Sequence, residues 1–262
     1  GVKGSYSTGS SKGWVQSGAP DVSMMLGVTN GLKGIFPGST TNPSQVINYV
    51  ACHDNNTLFD KMVLSSKADG IGIGDPLLAR RNVQADAFTL LGQGVSFIHA
   101  GSEILRSKPN DDPADAVNNP YISNSYKSSY EVNDIEWDRK VTYLNEFKMY
   151  QALIDLKVNN PAFQLATAEE VTDQVKVTKG EELGLKNSTI IYEIDTGEIQ
   201  YKIVFHGAAS RITLDLNGYS VILDTANDLE KGTKIKGEVK INANTVLVLT
   251  SGDVITDAKP CL

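Results

Sequence analysis

Histidine and cysteine are scarce in this chain. Three histidines (His53, His99 and His206) lie far apart, and two cysteines, Cys52 and Cys261, are all that 262 residues contain. That set excludes a His-rich metal constellation and is too small for a disulfide framework or a Cys-ligated zinc site. Cys52 follows an apolar run and is expected to be a buried thiol. Cys261 is expected to be free and exposed, with a disulfide between the two as the lesser reading. Basic charge is also in deficit: 24 Lys and Arg against 31 Asp and Glu leave a net charge of −7. Nonspecific nucleic-acid binding, which rests on basic patches, is therefore not expected. No apolar run approaches the roughly 18–20 residues that span a bilayer. No signal-peptide pattern, internal repeat or low-complexity segment is visible. What is present is ordinary globular composition, 40% hydrophobic and 21% charged, with length for one large domain or two modest ones.

The chain divides into two textures. Residues 1–20 are rich in Gly and Ser and read as a loop. Asp21 to Gly34 reads as a helix that Asp21 or Ser23 could cap. Val46 to Cys52 and Val95 to Ala100 read as buried strands, and Leu77 to Leu91 between them as a helix ended by Gly92-Gln93-Gly94. Strand, helix and strand with near-continuous apolar strands predict a parallel sheet covered on both faces. Pro109 to Asn133 is a long polar loop, and loops of that length inside compact domains are usually functional. Val141 to Lys157 is the next predicted helix. From about residue 168 short β-rich segments take over: Gln174–Val177, Thr189–Ile194, Tyr201–Phe205, Arg211–Leu214, Ser220–Leu223, Val239–Ile241 and Val246–Leu249. Turn signals such as Thr196-Gly197 and Asn217-Gly218 separate them. The expectation is an α/β part over 1–167 and an all-β antiparallel sandwich over 168–262, the latter able to fold alone.

The segment Cys52-His53-Asp54-Asn55-Asn56-Thr57-Leu58-Phe59-Asp60-Lys61-Met62 carries the strongest functional signal. A His-Asp pair at the C-terminal end of a buried strand sits where barrel enzymes keep their chemistry. The segment resembles the fourth conserved segment of the type I pullulanases, debranching members of the α-amylase clan. Other stretches resemble the same family. They are Gly1 to Ser5 with Lys12-Gly13-Trp14-Val15, and Gly101-Ser102-Glu103-Ile104-Leu105-Arg106-Ser107-Lys108. Asn124-Ser125-Tyr126 through Trp137-Asp138-Arg139-Lys140, and Asn160-Pro161-Ala162-Phe163 with Ala166-Thr167-Ala168-Glu169, complete the set. Ser102 stands where the family usually has Gln, and Tyr130 where it often has Asp.

The resemblance implies the C-terminal part of a (β/α)8 barrel over 1–167 followed by a β-sandwich over 168–262. It implies a retaining hydrolase of α-1,6 linkages in pullulan, starch and glycogen-derived dextrins. Asp54 would be the carboxylate that stabilises the transition state, and His53 would contact sugar hydroxyls. Asn55, Tyr126 and Tyr130 would be substrate-binding: Asn55 orients the turn after Asp54, with a sugar contact as the lesser reading, and the tyrosines stack on glucose rings, against a plain loop-packing role. Glycoside hydrolysis needs two flanking carboxylates, an acid and a nucleophile or base. The family's nucleophile segment, Gly-Phe-Arg-Phe-Asp-like, and its Tyr-x-Glu-aromatic acid/base segment are both absent from this sequence. The chain alone is therefore expected to be inactive, and the upstream barrel portion is the expected partner, as a second chain or a missing segment. The alternative is a non-catalytic α-glucan-binding or assembly subunit. Glu103 reads as a structural carboxylate, His99 as a satisfied core histidine and Trp137 as a structural residue. No cofactor is required. Asp60, Asp111, Asp112 and Asp115 could suggest calcium but lack its loop pattern, so they read as solvated loop charge. An extracellular or cell-surface location is expected, with the cytoplasm as the alternative.

Overall fold

The computed structural model describes residues 1–6, 9–17, 20–185 and 188–253; Cys261 lies outside them. The helices are α1 (Val22–Lys33), α2 (Leu58–Ser66), α3 (Pro76–Leu91), the single turns α4 (Pro113–Ala116), α5 (Tyr130–Asn133) and α6 (Arg139–Thr142), then α7 (Leu144–Asn159) and α8 (Ala168–Gln174). The strands are β1 (Ile47–Asn48), β2 (Val95–Ser96), β3 (Val175–Lys179), β4 (Thr189–Asp195), β5 (Gln200–His206), β6 (Ile212–Asp215), β7 (Ser220–Asp224), β8 (Glu238–Ile241) and β9 (Thr245–Thr250).

Local chemistry sets the helix ends. Asp21 caps α1 by accepting the Met24 amide at 2.7 Å, and Asp75 caps α3 ahead of Pro76, the arrangement expected where the first amides lack helical partners. Gly34 ends α1 in the left-handed region, φ 63°. A Cβ there would lie 2.7 Å from the Gln93 carbonyl oxygen, so the chain crossing demands glycine. The sequence expectation did not include α2, whose start is set by Thr57 accepting the Asp60 amide.

α3 is the centre of the molecule: thirteen of its sixteen residues are buried. It packs against α1, α2, α7 and β9. A helix surrounded on all sides shows a weak apolar stripe, and its buried polar groups need partners. Gln84 donates to the carbonyls of His206 and Thr245, each at 3.0 Å, and Arg81 donates to Ser66 and Asn244. Both partner sets include the C-terminal half of the chain.

The predicted β-segments after residue 168 all form strands. β3-β4-β5-β9-β7 make a five-stranded antiparallel sheet, and β6-β8 a separate antiparallel pair. The period of two divides the five-stranded sheet between two partners. Ile203, Phe205, Val246 and Val248 face the helical half and join the core of Trp14, Phe88 and Leu32. Val204, Leu247 and Leu249 face the other way and pack with Ile212, Leu216 and Ile241 around the β6-β8 pair. One face of the sheet is thus covered by helices of the first half. The apolar core is therefore shared between the two halves of the chain.

β1 and β2 pair in parallel, Ile47 with Val95 and Asn48 with Ser96, as the strand–helix–strand pattern predicted. They are far shorter than predicted, and they are not covered on both faces. Val46 and Val50 are buried toward the helices, but Ile47, Tyr49, Val95 and Phe97 are 61, 58, 48 and 46% exposed. The opposite edge of each strand has no strand partner among the described residues, which limits ladder length. The long polar loop holds two short helical turns, α4 and α5, rather than being wholly irregular.

Candidate functional site

The site begins where β1 ends. After Val50 and Ala51 pack inward, the chain turns at Cys52 to Asn56 before entering α2. Asn55 takes φ 63°, a conformation that Asn tolerates better than most side chains. This turn pushes His53 and Asp54 out of the fold. Their side chains are 83 and 65% exposed, with His53 Nε2 3.6 Å from Asp54 Oδ2. Cys52 is a half-buried free thiol rather than a buried one, its Sγ lying 3.8 Å from the Asp54 carbonyl. A cleft of about 410 Å³ runs along β1, lined in part by Lys3, Phe36, Asn48, Tyr49 and, at one end, Asp54 and Asn55.

Beneath the exposed pair lies a buried ionic group that sequence reasoning missed. Asp60 on α2 is fully buried, which corrects its reading as solvated charge. It accepts the Lys108 amide at 2.8 Å and the Ser107 hydroxyl. Burial pushes the Asp60 carboxyl above the ordinary range, and those hydrogen bonds oppose the rise. Lys108 is also buried. Its Nζ lies 2.6 Å from the Asn55 carbonyl, 3.3 Å from that of His53, 3.4 Å from that of Ser123 and 3.2 Å from Ser125 Oγ. Burial lowers the Lys108 pKa, with the Asp60 charge opposing. The available signal was the Arg106-Ser107-Lys108 run, whose lysine follows a strand end and lies in a motif.

The long loop is anchored to the same place. Asn133 Nδ2 donates to the Ser125, Ser128 and Ser129 carbonyls. Arg106 donates to the Asn133 and Ala100 carbonyls and to His99 Nε2. His99 is thereby fixed with its proton on Nδ1, since an arginine only donates. That Nδ1 is buried without a hydrogen-bond partner among the described residues, so His99 is not the satisfied core histidine expected. Burial, then the neighbouring Arg106 charge, lower its pKa to about 4. Glu103 accepts the Gly101 amide at 3.0 Å, in agreement with its structural reading.

Tyr126 and Tyr130 both stand exposed on this loop. The Lys127 ammonium lies 5.3 Å from the Tyr126 ring centre. Tyr130 hydrogen-bonds the Asp134 carboxylate, whose charge raises the phenol pKa. Trp137, expected to be structural, is instead exposed. The structure therefore brings His53, Asp54 and Asn55 together in one turn and ties the segment before Tyr126 to it through Lys108. Tyr130 opens α5, farther along the same loop. Among the described residues, no group of three or more His, Cys, Asp or Glu side chains is placed to hold a metal ion. No helix among them is long and apolar enough to cross a membrane.

The chain is similar to pullulanases of several bacteria. No family model matches the chain. A pullulanase of Bacillus subtilis is 32% identical over 236 residues, covering 86% of this chain, and the chain spans only 30% of that protein's length. A pullulanase of Klebsiella pneumoniae is 40% identical over 81 residues. The structure of an Anoxybacillus pullulanase complexed with maltotetraose superposes with a TM-score of 0.79 at 27% identity, covering 96% of this chain and 34% of that one. That of the Bacillus acidopullulyticus pullulanase gives the same TM-score at 24% identity, a likeness of fold. The chain is a homologue of the type I pullulanases, a debranching glycoside hydrolase family, and corresponds to the C-terminal ~30% of the Bacillus subtilis protein.

Proposed function

We propose that this chain provides the third-carboxylate corner of an α-glucan debranching site. Asp54 favours the charge that develops at the sugar ring, and His53 holds sugar hydroxyls. The observation that carries this reading is the exposed His53-Asp54 pair at the end of a parallel strand, within the segment most like the pullulanases. The substrate is an α-1,6-linked glucan such as pullulan or a starch-derived dextrin, cleaved with retention. Solved relatives hold maltotetraose and maltotriose, which supports a malto-oligosaccharide chemistry here. Asn55, Tyr126 and Tyr130 contact the bound glucan.

In this reading residues 1–167 are part of a (β/α)8 barrel and residues 168–262 a trailing β-sandwich. The nucleophile and the acid/base come from a separate upstream portion. The open edge and exposed apolar face of β1-β2 support this, because a two-stranded parallel sheet leaves apolar surface and ladder groups unpaired. An extracellular or cell-surface location suits polymeric substrate. The test is reducing-sugar release from pullulan by the purified chain alone, and by the chain combined with or fused to the upstream portion of a pullulanase. Release only in the combined material is expected. Release by the single chain would overturn the proposal that it lacks a nucleophile and proton donor. Glucan binding without hydrolysis in the combined protein would favour a non-catalytic binding subunit.

A further inference from the structure

Lys108 joins two segments that the sequence separates by about seventy residues. Three of its four oxygen neighbours are main-chain carbonyls. Two belong to the turn that carries His53 and Asp54, and one belongs to Ser123. The fourth is the hydroxyl of Ser125, the residue before Tyr126. An ammonium has three protons on one point charge and can share them among converging carbonyls, which a planar guanidinium cannot do in the same space. Its charge is offset by Asp60, itself buried and held by the Lys108 amide and Ser107. Asp54 points outward from the same turn, so the ammonium pulls on the inner side of the loop whose outer side carries the carboxylate.

We propose that Lys108 is a positioning residue whose ammonium fixes the Asp54-bearing turn against the Ser123–Ser125 segment, so that Asp54 and Tyr126 address the same glucan. The proposal rests on the reading of Asp54 given above. The oxygen set resembles what a monovalent cation would occupy, and removing the lysine head leaves a cage that a small ammonium ion can enter.

The experiment uses the complete enzyme of the proposed function, that is, this chain combined with or fused to the upstream portion of a pullulanase. Lys108→Met keeps length and removes charge; Lys108→Ala opens the cage. With folding checked by melting temperature, Lys108→Met is expected to lower kcat on pullulan about 10–100-fold, since misplacement by about 1 Å costs that order. KM is expected to move less than kcat. Propylammonium is expected to restore a large part of the Lys108→Ala loss, and tetramethylammonium, which has no N–H, is not. Hydrogen exchange should rise at residues 53–57 and 123–126 in Lys108→Met. Normal kcat in folded Lys108→Met overturns the proposal. So does a loss that tracks the unfolded fraction without rescue by propylammonium. If Lys108→Met is unfolded, the propylammonium series on Lys108→Ala decides by the same criterion. Asp54→Asn in the same protein separates the two claims. Normal turnover there sinks the site reading itself, whereas a crippled Asp54→Asn beside normal Lys108→Met sinks only the positioning role.

Discussion

The ring of Phe88 on α3 stacks on that of Phe205 on β5, with centroids 4.0 Å apart and planes 17° from parallel. Trp14 meets the same Phe88 edge-on at 5.0 Å. This aromatic group is where the helical half and the five-stranded sheet share one core. Phe205→Ala is expected to destabilise the protein by about 3–5 kcal/mol, the usual cost of emptying a buried phenylalanine site. Residues 168–253 expressed without the first half should bind a hydrophobic dye and melt without a sharp transition. They would expose the face of Ile203, Phe205, Val246 and Val248. A sharp, cooperative melt of that piece would show that the core is not shared in the way described. Denaturant titration of Phe205→Ala and calorimetry of the piece are the measurements.

Asp54→Asn in the complete enzyme is expected to reduce kcat by about 10²–10³, the typical value of one preorganised electrostatic group. The melting temperature should hardly change, because the Asp54 side chain is exposed and caps nothing. His53→Ala should act in the same direction and more weakly, since it removes a hydrogen bond and leaves the carboxylate. Steady-state kinetics on pullulan check both. A larger loss in His53→Ala than in Asp54→Asn would mean that the two roles are reversed.

The half-buried His99 gives a pH signature. Its pKa falls from 6.5 to about 4 in the folded chain, so the unfolded chain takes up the proton first as pH drops. Stability from the neutral ring is complete above about pH 6.5 and is lost progressively toward pH 4. Buried Asp60 and Asp86, both with raised pKa values, work in the opposite sense. Comparison with His99→Gln, which keeps an acceptor for Arg106, removes their effect. The wild type should lose more melting temperature than His99→Gln between pH 7 and pH 4.5. Parallel loss in the two proteins would contradict the assignment.

Tyr49 and Phe97 meet edge-on at 6.0 Å on the exposed face of the β1-β2 pair. With Ile47 and Val95 they form an apolar patch on paired short strands, a surface that invites association. The isolated chain should self-associate at micromolar concentration, and Tyr49→Ser with Phe97→Ser should reduce this in analytical ultracentrifugation. If, as proposed, an upstream barrel portion covers this patch, the same pair of changes in the combined protein should instead lower stability. Equal self-association of the variant and the wild type would remove the patch as the cause.

The sequence by itself determined most of the local elements, α2 excepted, and the kinship. The Asp21 cap and Gly34 stop bound α1, the period-two runs after residue 168 became strands, and the eleven residues from Cys52 to Met62 carried the resemblance. These signals are legible because they depend on neighbours within a few positions. Only the tertiary structure decided the rest. The sequence read Asp60 as solvated and gave Lys108 no role, yet burial against each other makes them the support of the His53-Asp54 turn. It read β1 and β2 as buried on both faces, because hydrophobicity shows what a strand could bury and not which neighbours are present. It read the sheet as self-sufficient, because period two marks two apolar faces without saying that one of them belongs to α3. Long-range pairing of this kind is set by which surfaces meet, and no local pattern in the chain records it.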